Sequence, residues 1–316
     1  MFAAGSPAFP MPLIAAVRAL PPNLRGALWI IASGFVFTSV SVFIRLSVRE
    51  LDSLQVSFFR AVFGLLFIAP ALIRLRMNPL GTSRLGQHFW RAALGTASMA
   101  CGFYAAAHLH IAESTSISFA APLFITAIAA LFMGEDVRWR RWAATIAGFA
   151  GVVIMLRPGA ETLQWAALVA VAGAFLTACS AMLVKQLSAH EPPMRMLATF
   201  AIFSTLFLVG PAIWVWRWPS PHVWLYVAAI GVCATIGQYF WVRAYAIAQA
   251  SAVAPFDYFR MPFSVLVGFV MFSELPTIWT FVGTMVIAAS GLYIAHREAV
   301  RGKRITAEVK PHKNLA

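Results

Sequence analysis

The stretch AVAPFDYFRMPFSVLVGFVMFSE, residues 252–274, decides how the chain is read. It is long enough to cross a bilayer, which takes about 20 mostly apolar residues. Yet it carries Asp257 and Arg260, three positions apart and so on one helical face. Pro255 and Pro262 bracket them and predict a bent or locally unpaired backbone. Charges at membrane depth are costly and face a bundle interior or a wet cavity. The segment is therefore expected to line a solute path, with the other segments building a container around it.

The composition agrees. Of 316 residues, 61% are hydrophobic and 11% charged, where a soluble domain carries about 25% charged residues. Mean hydropathy is +0.79. This predicts a polytopic membrane protein with little mass outside the bilayer. The net charge of +13 would suit nucleic acid, but the basic residues stand at segment ends, where the positive-inside rule accounts for them. No nucleic-acid partner is expected. Cys101, Cys179 and Cys233 lie in apolar segments without metal-ligand spacing and read as small buried hydrophobes. No metal and no cofactor are expected.

Ten apolar segments follow one another: 26–47, 53–73, 88–109, 114–134, 142–157, 162–185, 194–216, 222–246, 252–273 and 277–295. With residues 1–25 as a cytoplasmic arm, eighteen of the 24 Lys and Arg fall inside, Arg91 among them. Arg45, Arg49, Arg157 and Arg217 fall outside, while Arg60 and Arg260 lie within spans. Both termini are thus expected in the cytoplasm, the polar tail 296–316 being disordered.

The two halves resemble each other. LLFIAPAL (65–72) matches TLFLVGPAI (205–213), and PLFITAIAALFMGE (122–135) matches PFSVLVGFVMFSE (262–274). Repeats over 26–157 and 158–295 would have five spans each, an odd number, so the second is expected to be inverted. Inverted repeats around a midplane site are a transporter architecture. The expected fold is all-α, with ten transmembrane helices as two inverted five-helix repeats around a central cavity.

These residues carry a resemblance to the drug/metabolite transporter superfamily, specifically its ten-helix EamA-like members. They are Arg60 in FFRAVFGLL, the two runs ending at Glu135 and Glu274, and the glycines Gly148, Gly151, Gly283 and Gly291. The resemblance implies a basket-like bundle whose cavity is lined by spans one to four and six to nine, with spans five and ten outside. It also implies a small-molecule substrate, and family members differ widely in what they carry.

Candidate substrate-binding or coupling residues are Asp257, Arg260, Arg60, Tyr104, Gln238, Tyr239, Trp241 and Tyr258. Asp257 is the candidate proton carrier. Arg60 has no acid at i±3 or i±4, so its partner is sought in another span or in the ligand. The aromatic residues, Phe103, Phe240 and Phe256 included, would suit a flat or amphipathic solute. Ser114, Thr115, Ser116 and Ser118 are expected to cap the fourth span. Glu135 and Glu274 are expected to cap a helix or pair with arginines at the interface. The bland reading of Asp257–Arg260, a brace across a kinked helix, stays open here.

No GxxxxGK[ST] loop is present, so ATP is not the direct energy source. No HExxH, GxSxG or paired-carboxylate motif supports a membrane enzyme, and no catalytic residue is assigned. A secondary transporter of the bacterial inner membrane is favoured, exporting amino acids or related metabolites. Uptake of a flat vitamin or nucleoside-like compound is the alternative. The partners are then the lipid bilayer, the solute and a candidate coupling proton, in a monomer or homodimer.

Overall fold

A computed structural model describes residues 20–132, 139–156, 165–248 and 253–308. The helices are α1 (Pro22–Ser47), α2 (Ser53–Arg74), α3 (Leu85–His108), α4 (Ile111–Ser118), α5 (Ala121–Phe132) and α6 (Trp139–Leu156). Then come α7 (Trp165–Ser188), α8 (Pro193–Trp214), α9 (Pro221–Ile247), a 3-10 helix (Ala254–Phe259), α10 (Arg260–Phe272) and α11 (Ile278–Glu308). Among the described residues there is no strand.

Helices α1, α2, α7, α8 and α9 are each long and apolar enough to cross a membrane. Helix α3 is as long but holds Gln87, His88 and Arg91 in its first turns. The expected fourth span is broken into α4 and α5 at Phe119–Ala120, and the expected ninth into the 3-10 helix and α10. Both breaks fall just before a proline, Pro122 and Pro262, whose missing N–H and fixed φ favour a helix start.

The packing repeats between halves. α1 lies along α9 and α3 along α7, and exchanging each helix for its counterpart in the other half converts one pair into the other. The pairs α2–α8 and α6–α11 map onto themselves under the same exchange. Such a pattern is what a two-fold relation between five-helix units produces. α6 and α11 approach closely because both carry glycine at the crossing: a Cβ on Gly151 would meet the Gly283 carbonyl oxygen at 2.8 Å.

Large apolar side chains cover the outside, as a lipid solvent allows. Leu66, Ile73, Leu225 and Val270 are well exposed, with Trp90, Trp214 and Trp218 outward near helix ends. Three expectations change. Residues 296–308 continue α11 as helix; Ala, Arg, Glu and Lys in that stretch are good helix formers. Arg91, counted with the cytoplasmic loop, is 1% exposed inside the bundle. Ser114, Thr115, Ser116 and Ser118 lie within α4, whose N-cap is His110, so they do not cap it.

Candidate functional site

The broken helices bring polar groups to mid-bundle. The 3-10 turn presents Asp257, and α10 begins on Arg260; their carboxylate and guanidinium lie 3.4 Å apart, Asp257 Oδ2 to Arg260 Nη2. Arg260 Nη2 also donates to Ser118 Oγ at 2.6 Å. One break is thereby tied to the other, since Ser118 is the last residue of α4. The Arg260 guanidinium lies 5.6 Å from the Phe119 ring centroid. Its stem passes Gly34 of α1, where an added Cβ would come within 3.2 Å.

A cavity of about 290 Å³ opens beside this junction. Its wall draws on α1, α2, α3, the α4–α5 break, α7, α8, α9 and the 3-10/α10 junction, with α6 and α11 absent from the lining among the described residues. Small residues of α3 and α7 leave the space: Gly95, Ser98, Gly102 and Thr177 face it. Ser98 and Thr177 hydroxyls lie 2.6 Å apart and bridge those two helices.

On the α2 side, Arg60 Nη2 donates to Gln238 Oε1 at 2.8 Å. The partner that the sequence placed in another span is thus a neutral amide on α9. The Arg60 guanidinium lies over Phe200 at 5.4 Å, and Arg91 lies over the same ring at 4.5 Å. Arg91 Nη1 donates to the Met196 carbonyl at 2.8 Å.

Of the sequence candidates, Asp257, Arg260, Arg60, Gln238 and Trp241 line this cavity. Tyr104 does not; its ring stacks on His108 at 4.1 Å, one helical turn away. Tyr239 does not either, because successive residues of α9 diverge by about 100° each, and its ring lies 5.9 Å from the Arg243 guanidinium. The Tyr258 side chain and Glu135 lie outside the described residues. Of the other aromatic residues, Phe103 lines the cavity, while Phe240 packs on Trp29 at 5.0 Å. Phe37, Phe200 and the hydroxyls of α3 and α7 were missed. Only the small-residue run GTASMACG (95–102) signals a wall that must stay thin.

Among the described residues no cluster of three or more His, Cys, Asp or Glu could hold a metal ion.

Comparison with known proteins places this architecture. A riboflavin transporter of Vibrio cholerae is 31% identical over 291 residues, covering 89% of this chain and 96% of the relative. An S-adenosylmethionine uptake transporter of Rickettsia conorii is 28% identical, covering 89% and 95%. A pseudopaline exporter of Pseudomonas aeruginosa is 26% identical, covering 84% and 94%. A solved structure described as "Crystal structure of protein" superposes with a TM-score of 0.64 at 19% identity, over 88% of this chain and 98% of that one, which speaks for the fold alone. The model of the EamA-like transporter family matches residues 24–157 and again 164–295. With two family repeats covering most of its length, and apolar helices to match, this multi-pass membrane protein belongs to the EamA-like transporter family.

Proposed function

We propose that the protein is a secondary transporter that carries a flat heteroaromatic metabolite across the bacterial inner membrane by alternating access. The observation that carries this reading is the cavity at the two helix breaks. It has aromatic walls from Phe37, Phe103, Phe200 and Trp241, and a few fixed polar groups at Arg60, Gln238, Asp257 and Arg260. Sites for small organic ligands have this make-up, with apolar walls for affinity and sparse polar anchors for orientation. A relative named for riboflavin, a flat ring system, favours this solute over the amino acid expected from the sequence.

Two repeats, exchanged by the packing pattern, supply the two conformations that alternating access requires. The Lys and Arg bias supports both termini inside. Asp257 is the coupling candidate because it is the one carboxylate among the described lining residues of the cavity.

A second reading keeps amino-acid-like export: Asp257 and Arg260 form a zwitterion-sized pair, and one relative is named an exporter. Purified protein in liposomes, loaded on one side with riboflavin, a nucleoside or an amino acid, separates the two. Flux of the flat solutes alone supports the first reading, and flux of the amino acid alone removes it.

A further inference from the structure

The charges around the cavity do not cancel. Asp257 is the one carboxylate among the described lining residues, and Arg260 takes it up. Arg60 is 8% exposed, and its hydrogen bond goes to the uncharged Gln238. Arg91 is 1% exposed, bonds a backbone carbonyl, and keeps a buried Nε without a partner. No Asp or Glu among the described residues comes within ion-pair distance of either guanidinium. Both lie over one ring, Phe200.

Taking an ion out of water costs several kcal/mol, and a purely structural arrangement pairs it. The Phe200 face returns only part of that cost, which leaves a positive deficit on this side of the cavity. Gln238 adds polarity of the same sense. Because its Oε1 accepts from Arg60, its NH₂ is the end left for a ligand, and both groups present N–H donors.

We propose that the transported solute carries an oxyanion, a carboxylate or a phosphate, that docks on Arg60 and the Gln238 amide. Arg91 is a positioning residue: it holds Phe200 from behind the wall and adds field without touching the ligand. The proposal rests on the transport reading above and adds the charge of the solute. Net-cationic solutes are disfavoured by the same arrangement.

Matched pairs test it. Purified protein is melted with riboflavin 5′-phosphate against riboflavin, pyridine-3-carboxylate against its amide, and succinate against succinamide, since ligands of the folded state raise its melting point. Charge-assisted hydrogen bonds are about twice as strong as neutral ones. The anionic member of a pair should therefore bind about tenfold more tightly, equivalent to about 1.4 kcal/mol. Arg60→Gln should abolish that preference and Arg60→Lys retain it, which separates lost charge from lost folding. The first pair against the second tells phosphate from carboxylate. If only succinate shows an Arg60-dependent preference, the oxyanion subsite stands and the flat-ring reading falls. Equal binding within every pair, a preference that survives Arg60→Gln, or no stabilisation by any of the six compounds overturns the proposal.

Discussion

Arg45 Nη2 lies 2.6 Å from Glu274 Oε1, joining the end of α1 to the residues that follow α10. The same two side chains seize the junction between α3 and α4: Arg45 Nη1 donates to the Leu109 carbonyl at 2.5 Å, and Ile111 N–H donates to Glu274 Oε2 at 3.0 Å. Lys185 holds the corresponding position in the second half. It donates to the carbonyls of Tyr245 and Ala248, at 3.1 and 2.8 Å, where α9 ends. Each half thus ends its first helix in a cation that grips the end of its own half's third helix, and Glu274 ties the first of these grips to the other half.

Glu274→Gln is expected to loosen this tie and raise exposure of the cavity from the side of the bundle on which α1 ends. With Cys101, Cys179 and Cys233 replaced and Ser114→Cys introduced as a reporter, an impermeant thiol reagent should react about five- to tenfold faster, the effect of about 1–1.4 kcal/mol from one charge-assisted bond. An unchanged labelling rate would make the contact a brace and not a gate.

The sequence shows the container better than its contents. Helix positions follow from apolar runs bounded by charges, because lipid demands them, and the 3-10/α10 break follows from Pro262, whereas the fourth span was expected unbroken despite Pro122. Asp257 and Arg260 were visible because i,i+3 charges in an apolar run are rare. What Arg60 meets was not visible, since Gln238 lies 178 positions away and their meeting depends on how α2 and α9 rotate. Arg91 was misread for a related reason: an arginine near a span end looks interfacial, and only the position of α8 decides that it is buried. Phe200 and Phe37 are two of 26 phenylalanines, and no local pattern marks which of them face a cavity.

Asp257→Asn is expected to abolish transport, or to flatten its pH dependence, while the protein still reaches the membrane at normal levels. The amide keeps shape and can still accept from Arg260, whose other partner Ser118 remains at 2.6 Å. Flux measured at two external pH values, beside an immunoblot of membrane fractions, decides. A collapse in protein level would mean a structural pair, because removing one partner of a buried pair costs about 3–5 kcal/mol.

Trp241 lines the cavity and leans on Tyr245, ring centroids 4.5 Å apart. Trp241→Ala is expected to raise the apparent KM for a flat solute about tenfold, since stacking on an aromatic face contributes about 1–3 kcal/mol. Trp241→Phe should recover most of it. If both variants leave KM unchanged for a verified solute, the ring is part of the packing against Ile125, Ala178 and Ala181 and not of the site.

Two loop carboxylates make stability depend on pH. Glu50 accepts from the Ser220 hydroxyl and N–H and meets His222 Nε2 at 3.0 Å. Glu191 sits in the matching loop of the second half, accepting from the Thr82 hydroxyl and from Arg195 at 2.7 Å, with the buried His88 Nε2 at 3.9 Å. The Ser220 hydroxyl holds the Glu50 carboxyl below its ordinary value of 4.5. At Glu191, burial pushes upward, but the Thr82 and Arg195 hydrogen bonds outweigh it and the net direction is again down. A carboxylate whose folded pKa is depressed contributes stability above the unfolded value, and that contribution is lost as pH falls through the folded one. The melting temperature of purified protein should therefore fall as pH drops below 4.5. Glu191→Gln should lower it at neutral pH by roughly 2–4 °C and flatten the acid limb. Glu50→Gln should do less, because Glu50 is 37% exposed against 5% for Glu191 and solvent screens its contacts. A melting profile with the same acid slope in wild type and Glu191→Gln would show that this carboxylate does not anchor the loops.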